Sequence, residues 1–71
     1  MKKFVLNKEF ITLSQFLKAN DYISSGGEAK FFLLNNDCFI NNELIKLRGK
    51  KIFKGDTVKI FQDEYLIEDD K

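Results

Sequence analysis

The hydrophobic pattern changes period at Asn35-Asn36-Asp37, and that change constrains the fold more than any other feature of the chain. Before it, apolar residues recur at helical spacing. Leu13, Phe16 and Leu17 stand at i, i+3 and i+4, and Ala29, Phe32 and Leu33 repeat the interval. After it the period moves toward two, most clearly in Thr57-Val58-Lys59-Ile60-Phe61. A chain of 71 residues has room for one domain with a modest core. The pattern therefore predicts an α+β fold, with two short helices packed on one face of a small antiparallel β-sheet.

The element boundaries carry their own signals. Thr12-Leu13-Ser14-Gln15 reads as a capping box, with the Thr12 hydroxyl accepting from the third helical N–H and Gln15 reaching back to the Thr12 N–H. It predicts a helix over 13–19, stopped by Asn20-Asp21. Ser24-Ser25-Gly26-Gly27-Glu28 opens a second helix, over 27–35. Its serines suit an N-cap and Glu28 suits the first turn. The stripe Leu13, Phe16, Leu17, Ala29, Phe32 and Leu33 is the expected core, packed on strands at 38–41 and 57–61. Asn41-Asn42 and Lys54-Gly55-Asp56 are turns, and Glu43-Leu44-Ile45 is a return segment. Arg48-Gly49-Lys50-Lys51 reads as a loop, and Gln62-Asp63-Glu64 turns into Tyr65-Leu66-Ile67. Lys3 to Leu6 is β-compatible. Glu68 to Lys71 is expected to fray, because termini with few apolar residues are seldom held.

Composition excludes several kinds of chemistry. The chain has no histidine, so it has no imidazole base, ligand or pH switch. Its one cysteine, Cys38, excludes an intrachain disulfide and a Cys-rich zinc site, and with no activating histidine it reads as a small core residue. No apolar run approaches the roughly 20 residues of a membrane span. Met1-Lys2-Lys3-Phe4-Val5-Leu6 starts like a signal peptide, but Asn7-Lys8-Glu9 ends the apolar stretch. The expectation is a cytoplasmic, non-enzymatic protein without cofactor or metal, and a monomer.

Net charge is only +1, yet charge is segregated. From Lys46 to Lys59, six basic residues (Lys46, Arg48, Lys50, Lys51, Lys54, Lys59) face one acid, Asp56. From Asp63 to Asp70, the acids Asp63, Glu64, Glu68, Asp69 and Asp70 have no base among them. Clustered lysine and arginine bind phosphates by releasing condensed counterions. The same charges also serve as solvated loop and edge-strand residues. Gly26-Gly27 at a helix start either presents backbone N–H groups to a phosphate or fits a tight approach to the first helix. Lys30, off the apolar stripe, either adds a charge beside those amides or is solvated. Phe31 points away from the stripe. Packing under Phe4-Val5-Leu6 is favoured for it over stacking on an unpaired base or self-association.

In order and spacing these segments resemble the S-four RNA-binding domain, also called the alpha-L motif. The resemblance is carried by Leu13-Ser14-Gln15-Phe16-Leu17, Ser25-Gly26-Gly27-Glu28-Ala29, Phe32-Leu33, Asn36, Cys38-Phe39-Ile40-Asn41-Asn42 and Gly55-Asp56-Thr57-Val58. It runs from about Ile11 to Ile60, which sets the expected domain core at about 11–61 of a single 1–71 domain. Phe10 to Lys18, Gly26 to Lys30 and Arg48 to Lys51 resemble the stand-alone YaaA-like bacterial subgroup. Two positions depart from the broader pattern. Gly26 stands where Arg is frequent, which removes one phosphate contact, and Asn36 and Asn42 replace turn glycines. The resemblance implies a small non-catalytic protein binding structured RNA, rRNA or tRNA-like, through Gly26, Gly27, Lys30, Lys46, Arg48, Lys50, Lys51 and Lys54. The alternative is a protein-interaction or regulatory module that docks a partner through the acidic tail.

Overall fold

The computed structural model describes residues 1–70. Strand β1 (Lys2–Leu6) leads through β2 (Phe10–Thr12) into helix α1 (Leu13–Ala19). A single 3-10 turn (Gly26–Glu28) runs into α2 (Ala29–Asn35). Strands β3 (Cys38–Ile40), β4 (Glu43–Leu44), β5 (Lys51–Phe53), β6 (Thr57–Ile60) and β7 (Asp63–Asp69) follow. The predicted fold class is the observed one, and the capping box forms as expected. The Thr12 hydroxyl accepts from the Gln15 N–H at 3.2 Å, and the Gln15 side chain accepts from the Thr12 N–H at 3.0 Å. The second helix begins as the 3-10 turn before settling into α2.

The sheet is mixed rather than purely antiparallel. Its order is β1-β7-β6-β3-β4. Four strands form the expected antiparallel sheet, and β1 adds to its edge parallel to β7, from Lys2↔Tyr65 to Leu6↔Asp69. Asn41 and Asn42, at φ 54° and 68°, make the two-residue turn between β3 and β4, the left-handed pair that asparagine tolerates. Gly55, at φ 93°, occupies a turn position that a side chain would strain. β2 and β5 form a separate two-stranded antiparallel ribbon: Phe10↔Phe53, Ile11↔Ile52, Thr12↔Lys51.

The helices cover one face of the sheet. Leu13, Phe16 and Leu17 of α1 and Ala29 and Leu33 of α2 are buried against Ile40, Val58, Ile60, Tyr65 and Ile67. The Phe16 ring meets Phe4 at 4.9 Å and Tyr65 at 5.1 Å, both edge-on, and its full burial contributes roughly 1.5–3 kcal/mol. Leu6, Tyr65 and Ile67 are buried too, so the core reaches beyond 11–61 at both ends.

Three expectations need correction. Phe32 is only half-buried. It belongs to an aromatic group at the core's margin, 5.9 Å from both Tyr22 and Phe61. Phe31 does not pack under the N-terminal strand; it is 65% exposed, and Phe16 takes that place against Phe4. Glu68 and Asp69 do not fray, because β7 holds them opposite Val5 and Leu6. The tail's last residue, Lys71, lies outside the described residues.

Candidate nucleic-acid interface

The loop between β4 and β5 is held against the start of α1. The Ser14 N–H donates to the Arg48 carbonyl at 2.9 Å, and the Leu13 N–H donates to the Lys50 carbonyl at 2.8 Å. The same serine reaches the other helix, its hydroxyl donating to the Gly26 carbonyl at 3.5 Å. Ser14 thus brings the Arg48–Lys50 loop and the Gly26–Gly27 turn to one place, although more than twenty residues separate them in sequence. The free amides of a helix start are the common way to bind an anion. At α1 they are taken: Leu13 and Ser14 by the loop carbonyls, Gln15 by Thr12.

The glycines stand open. A Cβ built on Gly26 would meet the Ser14 hydroxyl at 3.5 Å, and one on Gly27 would meet the Ser25 hydroxyl at 4.0 Å; both are ordinary contacts. Neither glycine has a positive φ. A tight approach to the first helix therefore does not demand glycine at either position. Glu28 is folded back, its carboxylate accepting from the Ser24 N–H at 3.2 Å.

The basic residues separate into two groups. Lys30, Arg48 and Lys50 are exposed and make no ion pair or side-chain hydrogen bond among the described residues. Lys46, Lys54 and Lys51 are engaged. The Lys46 ammonium donates to the carbonyls of Leu33 at 2.7 Å and Asn36 at 3.1 Å, and pairs with Asp37 at 3.2 Å. It thereby caps the end of α2, where carbonyls lack helical partners and the dipole favours a cation. Lys54 pairs with Asp69 at 3.4 Å. Lys51 lies on the ribbon with its ammonium 4.8 Å from the centre of the Phe10 ring. The ribbon explains this placement. Ile11 and Ile52 face the core, so Phe10, Phe53, Thr12 and Lys51 share the outer face.

Cys38 is buried, and burial pushes its thiol up to about 11, partly opposed by Lys46. The Tyr22 hydroxyl is also shifted upward. Burial is the larger cause, followed by its hydrogen bonds to Tyr65 at 2.8 Å and Asp63 at 3.0 Å. No group of three or more metal-binding side chains occurs among the described residues. No described helix is long and apolar enough to cross a membrane.

Two helices on one face of a small mixed sheet, with the β4–β5 loop tied to the first helix, form the architecture of an S4 domain. The match to the S4 domain covers residues 4–68, and the chain belongs to that family. It is also 47% identical over 55 residues, 78% of each chain, to the probable ribosome maturation protein RlbA of Bacillus subtilis.

Proposed function

We propose that this protein binds structured ribosomal RNA in the cytoplasm without catalysing a reaction, through a single basic face. That face comprises Lys30, Arg48 and Lys50, the open backbone at Gly26 and Gly27, and Lys51 at its border. One observation carries the reading: Ser14 joins the Arg48 loop to the Gly26 turn, while the cations of this region have no acidic partner within the fold. A rigid backbone with unpaired cations is what phosphate binding requires, because phosphate contacts fix position without reading sequence. The ribosome-maturation name of the related protein supports ribosomal RNA as the target class. The missing histidine and the inert Cys38 thiol support a role in binding.

Lys46 and Lys54 leave the phosphate set, since each ammonium already has a partner in the fold. The acidic-tail reading also weakens. Asp63 accepts from Tyr22 and pairs with Lys2, and Glu68 and Asp69 lie within β7. The test is titration of a structured ribosomal RNA fragment at several salt concentrations. Replacing Lys30, Arg48 and Lys50 together by Ala should weaken binding and flatten the salt slope by about 0.7–0.9 for each phosphate no longer neutralised. A folded triple variant with unchanged affinity and slope overturns the proposal.

A further inference from the structure

The outer face of the β2–β5 ribbon carries a feature that phosphate binding does not use. Phe10 and Phe53 stand directly opposite each other across the two strands, with ring centres 5.9 Å apart. Phe10 is half-buried and already has the Lys51 ammonium over its ring. Phe53 remains 44% exposed. Its backbone is fixed on both sides: its N–H donates to the Asp56 carboxylate at 2.8 Å, and its carbonyl accepts from the Asp56 N–H at 3.1 Å. The result is a part-exposed ring on a fixed backbone, in tilted contact with Phe10.

We infer that this face is a stacking platform for one unpaired base of the bound RNA, with Phe53 as the platform, Phe10 as its brace, and Lys50 and Lys51 on the flanking phosphates. The inference rests on the RNA reading and adds a substrate feature to it: the target carries a bulged or looped-out nucleotide beside its duplex. Charge supports this occupant. Lys51 lies over the Phe10 ring and Lys54 follows Phe53 in sequence, with Lys50 before Lys51, while Asp56 is engaged with Phe53 and Asn41, and Asp69 with Lys54. Glu9 precedes Phe10 at the same end of the ribbon as Phe53 and Lys54, and is the one further acid there beside those cations. Size supports it too. One open ring matches one base, whereas a stable protein contact needs about 800 Å² from each partner. Stacking on an aromatic side chain also tolerates any base, which suits a face otherwise built for phosphates.

The test compares two RNA hairpins of equal length and charge, one fully paired and one with a single 2-aminopurine bulge. The wild-type protein should bind the bulged hairpin more tightly and quench its fluorescence. Phe53→Leu keeps the apolar volume and removes the π face. It should lose about 5- to 100-fold of affinity for the bulged hairpin, lose the quenching, and leave the paired hairpin and the salt slope unchanged. Phe53→Tyr should behave as wild type. If Phe53→Leu binds both hairpins as wild type does while the Lys30, Arg48 and Lys50 triple variant loses both, the platform is wrong and the RNA reading stands. If the wild type binds neither, both fall. If Phe53→Leu loses a ribosomal protein and no RNA affinity, the face is a protein contact and the inference is refuted.

Discussion

Replacing Lys46 by Met should destabilise the fold and leave RNA binding largely intact, the reverse of what its place in a basic loop implies. The ammonium serves two carbonyls at the end of α2, those of Leu33 and Asn36, and the Asp37 carboxylate. Charge-assisted hydrogen bonds are worth about 1.5–3 kcal/mol when well shielded, and a cation at a helix end about 0.3–1 kcal/mol. The Lys46 side chain is 44% exposed and that of Asp37 is 68% exposed, so water replaces part of the loss and the ion pair itself adds little. The expected cost is about 1–2 kcal/mol. In a domain of this size each kcal/mol lowers Tm by about 4–8 °C. Thermal and urea melts followed by circular dichroism would measure it, with Lys50→Met as the control. The Lys50 ammonium has no partner among the described residues, and its backbone bonds survive the change, so its replacement should stay within about 0.5 kcal/mol of wild type. If the two variants melt together, Lys46 is not a helix cap. If Lys46→Met flattens the salt slope of RNA binding at a temperature where it is fully folded, its ammonium is available to phosphate after all.

Truncation before Glu68 should cost about 1–3 kcal/mol in a urea melt, because it removes the β7 partners of Val5 and Leu6 and the Asp69 carboxylate that pairs with Lys54; an unchanged midpoint would show the frayed tail that the sequence predicts. Cys38 should make stability fall at high pH. Its thiol is raised from 9.0 to about 11 in the fold, so the contribution is complete below pH 9 and is lost as pH rises through about 11; Cys38→Ala should flatten that slope, and an equal slope in both proteins would contradict the burial argument.

Local order is legible in the chain where short-range chemistry decides it. The capping box at Thr12 and Gln15, the helix over 13–19 and the Asn41-Asn42 turn all depend on residues within a few positions of one another. The parallel pairing of β1 with β7 is not legible, because no local signal says which distant strand will cover Phe4 and Leu6. β2 and β5 escape sequence reading for the same reason. Phe10-Ile11-Thr12 and Lys51-Ile52-Phe53 are each three residues long, too short for alternation to show, and only their mutual pairing makes them strands. The basic segment over Arg48 to Lys50 is a loop in the structure, as its polar composition implies. Sequence alone cannot divide its cations, since the partners of Lys46 and Lys54 come from α2 and its C-terminal end and from β7. Phe32 differs from expectation because a helix of 7 residues makes about two turns, and a small change in its angle to the sheet moves a residue from core to margin. Phe31 differs because β1 pairs with β7 and sets Phe4 against Phe16, leaving the outer side of α2 uncovered.

The parallel edge strand also dictates the order in which the molecule can be completed. β1 leaves the ribosome before every other described element, yet its hydrogen-bonding partner is the last of the described strands. Until β7 emerges, Phe4 and Leu6 have no sheet to join, and Phe16 lacks the Tyr65 ring that flanks it on one side and a settled Phe4 on the other. The α1–α2 region and the β3–β6 pairing can assemble from nearer contacts, whereas the edge must wait for closure of almost the whole chain, the slowest kind of contact to form. A pause in translation before Tyr65 would therefore hold a nascent chain whose helices are formed and whose first strand is loose.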